Sequence, residues 1–189
     1  MRTNLIILIS LVAMSAPADT QVSWWKWPGK WVGSKFRKAR EGKLAPSPLG
    51  QTLDGQSRTA SDYRSKSLLV SFWAPWSPPC LAGLDRLAEL ERRYGEERDT
   101  EILAVSVLTE RVNLDSFLSD HTYLLTFLHD AHGDVAKAYG VVSLPTTVLV
   151  SEAGIVLRKW QGAGEMADLE CQVGEYFAER SRIRQEESG

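Results

Sequence analysis

Seven residues, Ser67-Leu-Leu-Val-Ser-Phe-Trp73, form a β-prone and mostly apolar run that stops at Ala74-Pro75, and a helical period begins at Pro78-Pro79. This junction constrains the 189-residue chain more than any other feature. A strand without polar alternation is buried on both faces, so layers must cover the sheet that holds it. Proline is harmless in a first helical turn, where the missing N–H has no intrahelical partner. From there Cys80, Leu84, Leu87, Leu90 and Tyr94 recur on one face, which predicts a helix over 78–94 that covers the sheet.

Other segments extend the pattern. Asp54-Gly55 marks a hairpin turn within 49–56. Strands are predicted at 102–108 and 124–128, with a helix at 112–119 between them. A short helix at 134–139 closes at Gly140. Strands at 146–150 and 155–160 flank the turn Glu152-Ala153-Gly154, and a last helix runs over 166–180. Strand–helix–strand units followed by a hairpin and a helix predict an α/β fold with a central mixed sheet flanked by helices.

The first 44 residues differ from the rest. Arg2, an apolar run over 5–14 and Ser15-Ala16-Pro17-Ala18 read as a signal peptide over 1–18, with a short uncleaved anchor as the alternative. Residues 19–44 read as a linker or tail, leaving 45–185 as the domain. Residues 19–43 hold seven Lys/Arg against Asp19 and Glu41, whereas residues 44–189 hold 14 Lys/Arg against 22 Asp/Glu. An acidic body argues against nucleic acid as a partner. Trp24, Trp25, Trp27 and Trp31 alternate with lysines in the leader. That mixture suits a membrane surface, where indole rings sit at headgroup level and cations meet anionic lipid. A tail that packs on the domain or stays unstructured is the alternative. The expected location is outside the cytoplasm, periplasmic or extracellular.

The strand, the loop Ala74-Pro75-Trp76 and the helix opening at Ser77-Pro78-Pro79-Cys80 resemble the thioredoxin superfamily, in its TlpA/ResA-like branch. Leu53-Asp54-Gly55, Asp62-Tyr63-Arg64-Ser65-Lys66, Ala138-Tyr139-Gly140-Val141 and Leu144-Pro145-Thr146-Thr147 fall in matching order. The resemblance implies a thioredoxin-like fold, a cis-proline at Pro145, and a groove shaped by Trp76, Pro78, Pro79, Leu144 and Pro145. An extended protein or peptide client, carrying thiols or disulfides, would add main-chain hydrogen bonds there. Relatives of this type carry Trp-Cys-x-x-Cys. The first cysteine attacks a disulfide as a thiolate stabilised by the helix N-terminus, and the second resolves the mixed disulfide. Here the first position is Ser77, which cannot form a disulfide, and Cys80 holds the resolving position. Where the resemblance expects a basic residue, a Glu and a Pro, the chain has Leu81, Gly83 and Asp85.

Cys80 and Ser77 are therefore the candidate catalytic residues, open to three readings. Cys80 is a buried apolar residue in a redox-dead binding module. Alternatively it is a monothiol of peroxidase-like type, since Ser77-x-x-Cys80 resembles the Thr-x-x-Cys core of peroxiredoxins. In the third reading a partner supplies the missing thiol. Cys171, the only other cysteine, lies about 200° around the last helix from its apolar face and should point outward, unbridged. His121, His129 and His132 lack ligand spacing, and neither metal nor organic cofactor is implied.

Overall fold

The computed structural model describes residues 39–95 and 99–187. The expected signal peptide, and with it Trp24, Trp25, Trp27 and Trp31, lie outside the described residues. Strands β1 (Pro48–Gln51) and β2 (Ser57–Thr59) form the first hairpin, and a 3-10 turn (Ala60–Tyr63) leads to β3 (Ser67–Trp73). Then come α1 (Pro78–Tyr94), β4 (Thr100–Val107), α2 (Arg111–Asp120), β5 (Thr126–Asp130) and α3 (Asp134–Ala138). The chain closes with β6 (Thr146–Val150), β7 (Val156–Gln161), the single turn α4 (Gly162–Glu165) and α5 (Leu169–Glu187).

One seven-stranded mixed sheet runs in the order β2-β1-β5-β4-β3-β6-β7. The central trio β3, β4 and β5 is parallel, while β6 pairs antiparallel with β3 and β7 with β6. This is the thioredoxin-like architecture expected from the sequence. Every residue of β3 is buried, as its unbroken apolar run requires. Phe72 meets Tyr139 beside α3, and Trp73, on the opposite face, meets Phe117 of α2 and Phe127 of β5. At Gly50 the backbone has φ +112, and a Cβ there would lie 3.0 Å from the His129 carbonyl oxygen. A side chain would wedge β1 off β5.

Three expectations need correction. The β5 strand begins at Thr126, and Leu124 is 80% exposed, because Tyr123 and Leu125 supply the partly buried apolar contacts of that loop. The last helix starts at Leu169; Met166 belongs to the preceding connection and caps α4. Contact with the domain begins before residue 45. Gly42 N–H donates to the Val156 carbonyl (2.8 Å), Val156 N–H to the Lys43 carbonyl (2.8 Å) and Ala45 N–H to the Gly154 carbonyl (2.8 Å). Leu44 bridges Ile155, and Ala39 is buried. The end of the expected linker is thus a short strap along the β7 edge. Among the described residues no helix is long and apolar enough to cross a membrane.

Candidate functional site

β3 delivers the chain to the end of the sheet, where Ala74-Pro75-Trp76 turns it into α1. Ser77 N–H donates to the Ala74 carbonyl (3.1 Å), and Cys80 N–H donates to the Ser77 carbonyl (2.8 Å), closing the first turn. Ser77 is the N-cap residue in extended geometry, followed by the two prolines. Serine at this position ordinarily turns its hydroxyl onto the N–H groups of the first turn. This one does not, and Pro79 removes one of the two N–H groups that it could have capped.

Ser77 is wholly buried and Cys80 is 1% exposed. Burial pushes the Cys80 thiol up, and the Ser77 hydroxyl and the Ala74 backbone oppose this more weakly. Yet Ser77 Oγ has no partner at hydrogen-bond geometry. The hydroxyl is near enough to oppose the rise of the thiol pKa but makes no hydrogen bond to the sulfur. An unsatisfied buried hydroxyl costs about 1–3 kcal/mol.

Leu144–Pro145 is the cis peptide bond, and both residues are buried. The Pro145 ring packs one turn beyond Cys80. Its Cγ lies 3.8 Å from where a Cβ on Gly83 would stand, and so does Met166 Cε. Thr147 Oγ1 donates to Met166 Sδ (3.4 Å) and shares a hydrogen bond with Ser71 Oγ (2.9 Å). Arg86 Nη1 donates to the Met166 carbonyl (3.0 Å) and holds that connection over α1. Beside Cys80, then, the space around Gly83 is filled by a thioether and a proline ring. Asp85, further along the helix, accepts the Tyr123 hydroxyl (3.1 Å).

Of the candidate groove residues, Trp76 is 44% exposed, Pro78 is exposed and Pro79 half-buried. Pro145 thus packs near Gly83 in the first turns of α1, and Trp76 is exposed in the loop that precedes the helix. Met166 is the participant that sequence reasoning missed; it counted only as one more apolar position. Cys171 is exposed and free, as its helical angle predicted. Glu175 is the first cause of its raised thiol pKa. A ring nitrogen of His129 meets the Thr109 carbonyl (2.7 Å), and His121 stacks on Phe117. Among the described residues no group of three His, Cys, Asp or Glu side chains is placed to hold a metal.

The AhpC/TSA family pattern matches residues 41–159. The thiol-disulfide oxidoreductase ResA of Bacillus cereus is 28% identical over 137 residues, which cover 72% of this chain and 79% of that protein. ResA of Geobacillus thermodenitrificans is 31% identical over 128 residues, 68% of this chain and 73% of that one. Among solved structures, the exposed lipoprotein thioredoxin Etrx1 of Streptococcus pneumoniae superposes with a TM-score of 0.55 at 25% identity. It covers 68% of this chain and 99% of its own.

Proposed function

This chain belongs to the AhpC/TSA family, in its ResA-like branch of thioredoxin-fold proteins, and from that premise we propose that it is an extracytoplasmic member that has given up two-thiol exchange and uses its groove to hold clients. The observation that carries the reading is the pair at the head of α1. A serine stands where the attacking thiol is needed, and the one motif thiol, Cys80, is sealed at 1% exposure with its pKa pushed up. A thiolate is the nucleophile in disulfide exchange, so a buried, protonated thiol is a poor attacker. The same burial weighs against peroxidase-like use of Cys80, which needs access and a lowered pKa.

The proposed groove is made of exposed Trp76 and Pro78, half-buried Pro79, and buried Leu144 and cis-Pro145. Extended segments of exported proteins, with or without thiols, are its clients. The leader supports export through its signal-like start, and its four Trp with interleaved Lys suit contact with a membrane surface.

A binding experiment without chemistry tests the reading. Insulin B chain with its cysteines carbamidomethylated serves as the probe, titrated into the labelled Cys171→Ser protein. Resonances of Trp76, Leu144 and Thr146 should shift, and unblocked B chain should leave no mixed disulfide on Cys80 by mass spectrometry. Binding that leaves those resonances unmoved, or a Cys80 adduct formed in the native state, sinks the proposal.

A further inference from the structure

The β7 edge differs in character from the body it belongs to. Arg40, Lys43 and Arg158 are exposed along it and make no ion pair among the described residues. Leu44 (67% exposed) and Leu157 (39%) stand among these cations. The strap joins the set. Lys43 and Leu44 are tied to Val156 and Ile155, and the Arg40 carbonyl accepts the Lys43 N–H in the turn that carries Gly42. Two carboxylates remain charged on this edge: exposed Glu41 accepts the Lys159 N–H (3.3 Å) and exposed Glu165 the Gln161 N–H (2.7 Å), whereas Glu152 pairs with Arg180. The cations Arg40, Lys43, Arg158 and Lys159 outnumber them. Lys159 turns inward, donating to the Tyr139 and Gly140 carbonyls at the end of α3. With Arg158 and Lys159 set aside, residues 44–189 hold 12 Lys/Arg against 22 Asp/Glu. A cationic strip studded with exposed leucines thus borders an acidic domain.

We propose that this edge is a docking surface for an anionic lipid bilayer. The inference extends to the folded domain the membrane reading given above for the leader. Two observations favour lipid over an acidic protein. The exposed leucines among the cations match an interface that takes apolar side chains below its headgroups. The leader that carries Trp24, Trp25, Trp27 and Trp31 also joins the domain at buried Ala39, next to the strap in sequence, so a leader bound at a membrane would bring this edge near it. Anionic headgroups attract each nearby cation, and the attraction fades within a Debye length, which makes it salt-sensitive.

Cosedimentation of the full chain with vesicles of phosphatidylcholine containing phosphatidylglycerol is the test. The wild-type protein should bind these vesicles, and added salt should weaken binding. Lys43→Glu with Arg158→Glu should weaken it about tenfold or more, with an unchanged circular dichroism spectrum. Should that pair disturb folding, Leu44→Ser with Leu157→Ser gives an uncharged second variant, also expected to bind more weakly. Wild-type affinity in a folded strip variant overturns the proposal, as does binding to polyglutamate without binding to the vesicles. Changing the four leader tryptophans to alanine separates the two readings. If that variant binds like wild type while the strip variant fails, the leader reading falls and the strip stands.

Discussion

Ser77 is buried where a serine contributes least. It makes no cap bond and leaves its oxygen unpaired. Replacing an N-cap serine by alanine typically costs about 1 kcal/mol, whereas removing an unsatisfied buried hydroxyl recovers about 1–3 kcal/mol. Ser77→Ala is therefore expected to be neutral or stabilising in urea denaturation, and a loss of 1 kcal/mol or more, roughly the cap value, would mean that the hydroxyl is satisfied after all. Cys80 yields a pH prediction. Its folded pKa is raised by burial, so the folded state keeps the proton longer than the unfolded state does. The stability this contributes is fully present below the unfolded thiol pKa and is lost as pH rises through the folded value. Tyr139, raised by burial alone, acts in the same direction further into alkali. The melting temperature should fall between about pH 8 and about pH 10.5. In the Cys171→Ser background, Cys80→Ala should flatten the first part of that fall, and an unchanged slope would count against a buried, protonated thiol.

At the scale of elements, the connection between β7 and α5 does what the sequence did not announce. Met166 fills the space over Gly83 beside Pro145, anchored through Thr147 and Arg86. Met166→Ala should cost about 2–5 kcal/mol, and it should also speed alkylation of Cys80 in the Cys171→Ser background. Destabilisation without faster alkylation would place the seal elsewhere. β3 and α1 have the bounds that the sequence predicted, because both ends are written in residue chemistry: an apolar run cut by Ala74-Pro75, and a proline pair opening an apolar period. The opening of α5 was misplaced, since Met166 and Leu169 fit one helical period whether or not a turn separates them. Gly83 and Asp85 were visible as departures from the family pattern. What each touches, Met166 and Tyr123, depends on tertiary packing that periodicity does not encode.

For the whole molecule, the boundary of the domain is the point at which structure revised the sequence most. A chain shortened to begin at Ala39 should melt like the parent. One beginning at Ala45 loses the bonds that Gly42 and Lys43 make to Val156, the Glu41 contact with Lys159 and the burial of Ala39. At about 0.5–1.5 kcal/mol for each of these three hydrogen bonds, it should be less stable by about 1.5–4.5 kcal/mol, and equal stability would make the strap incidental. The composition of residues 39–44 is polar and basic, so nothing in it signalled pairing with an edge strand. The candidate site, by contrast, was legible in one respect, the missing first thiol, because the loss of a thiol is a covalent fact that no fold can repair. Its most direct measurement is dithiol-driven insulin reduction by two Cys171→Ser proteins run side by side, one with Ser77 and one with Ser77→Cys. The account predicts no turnover above background with Ser77. After the substitution it predicts turnover, together with a disulfide between the introduced thiol and Cys80. Turnover by the Ser77 protein that matches the substituted one would contradict it.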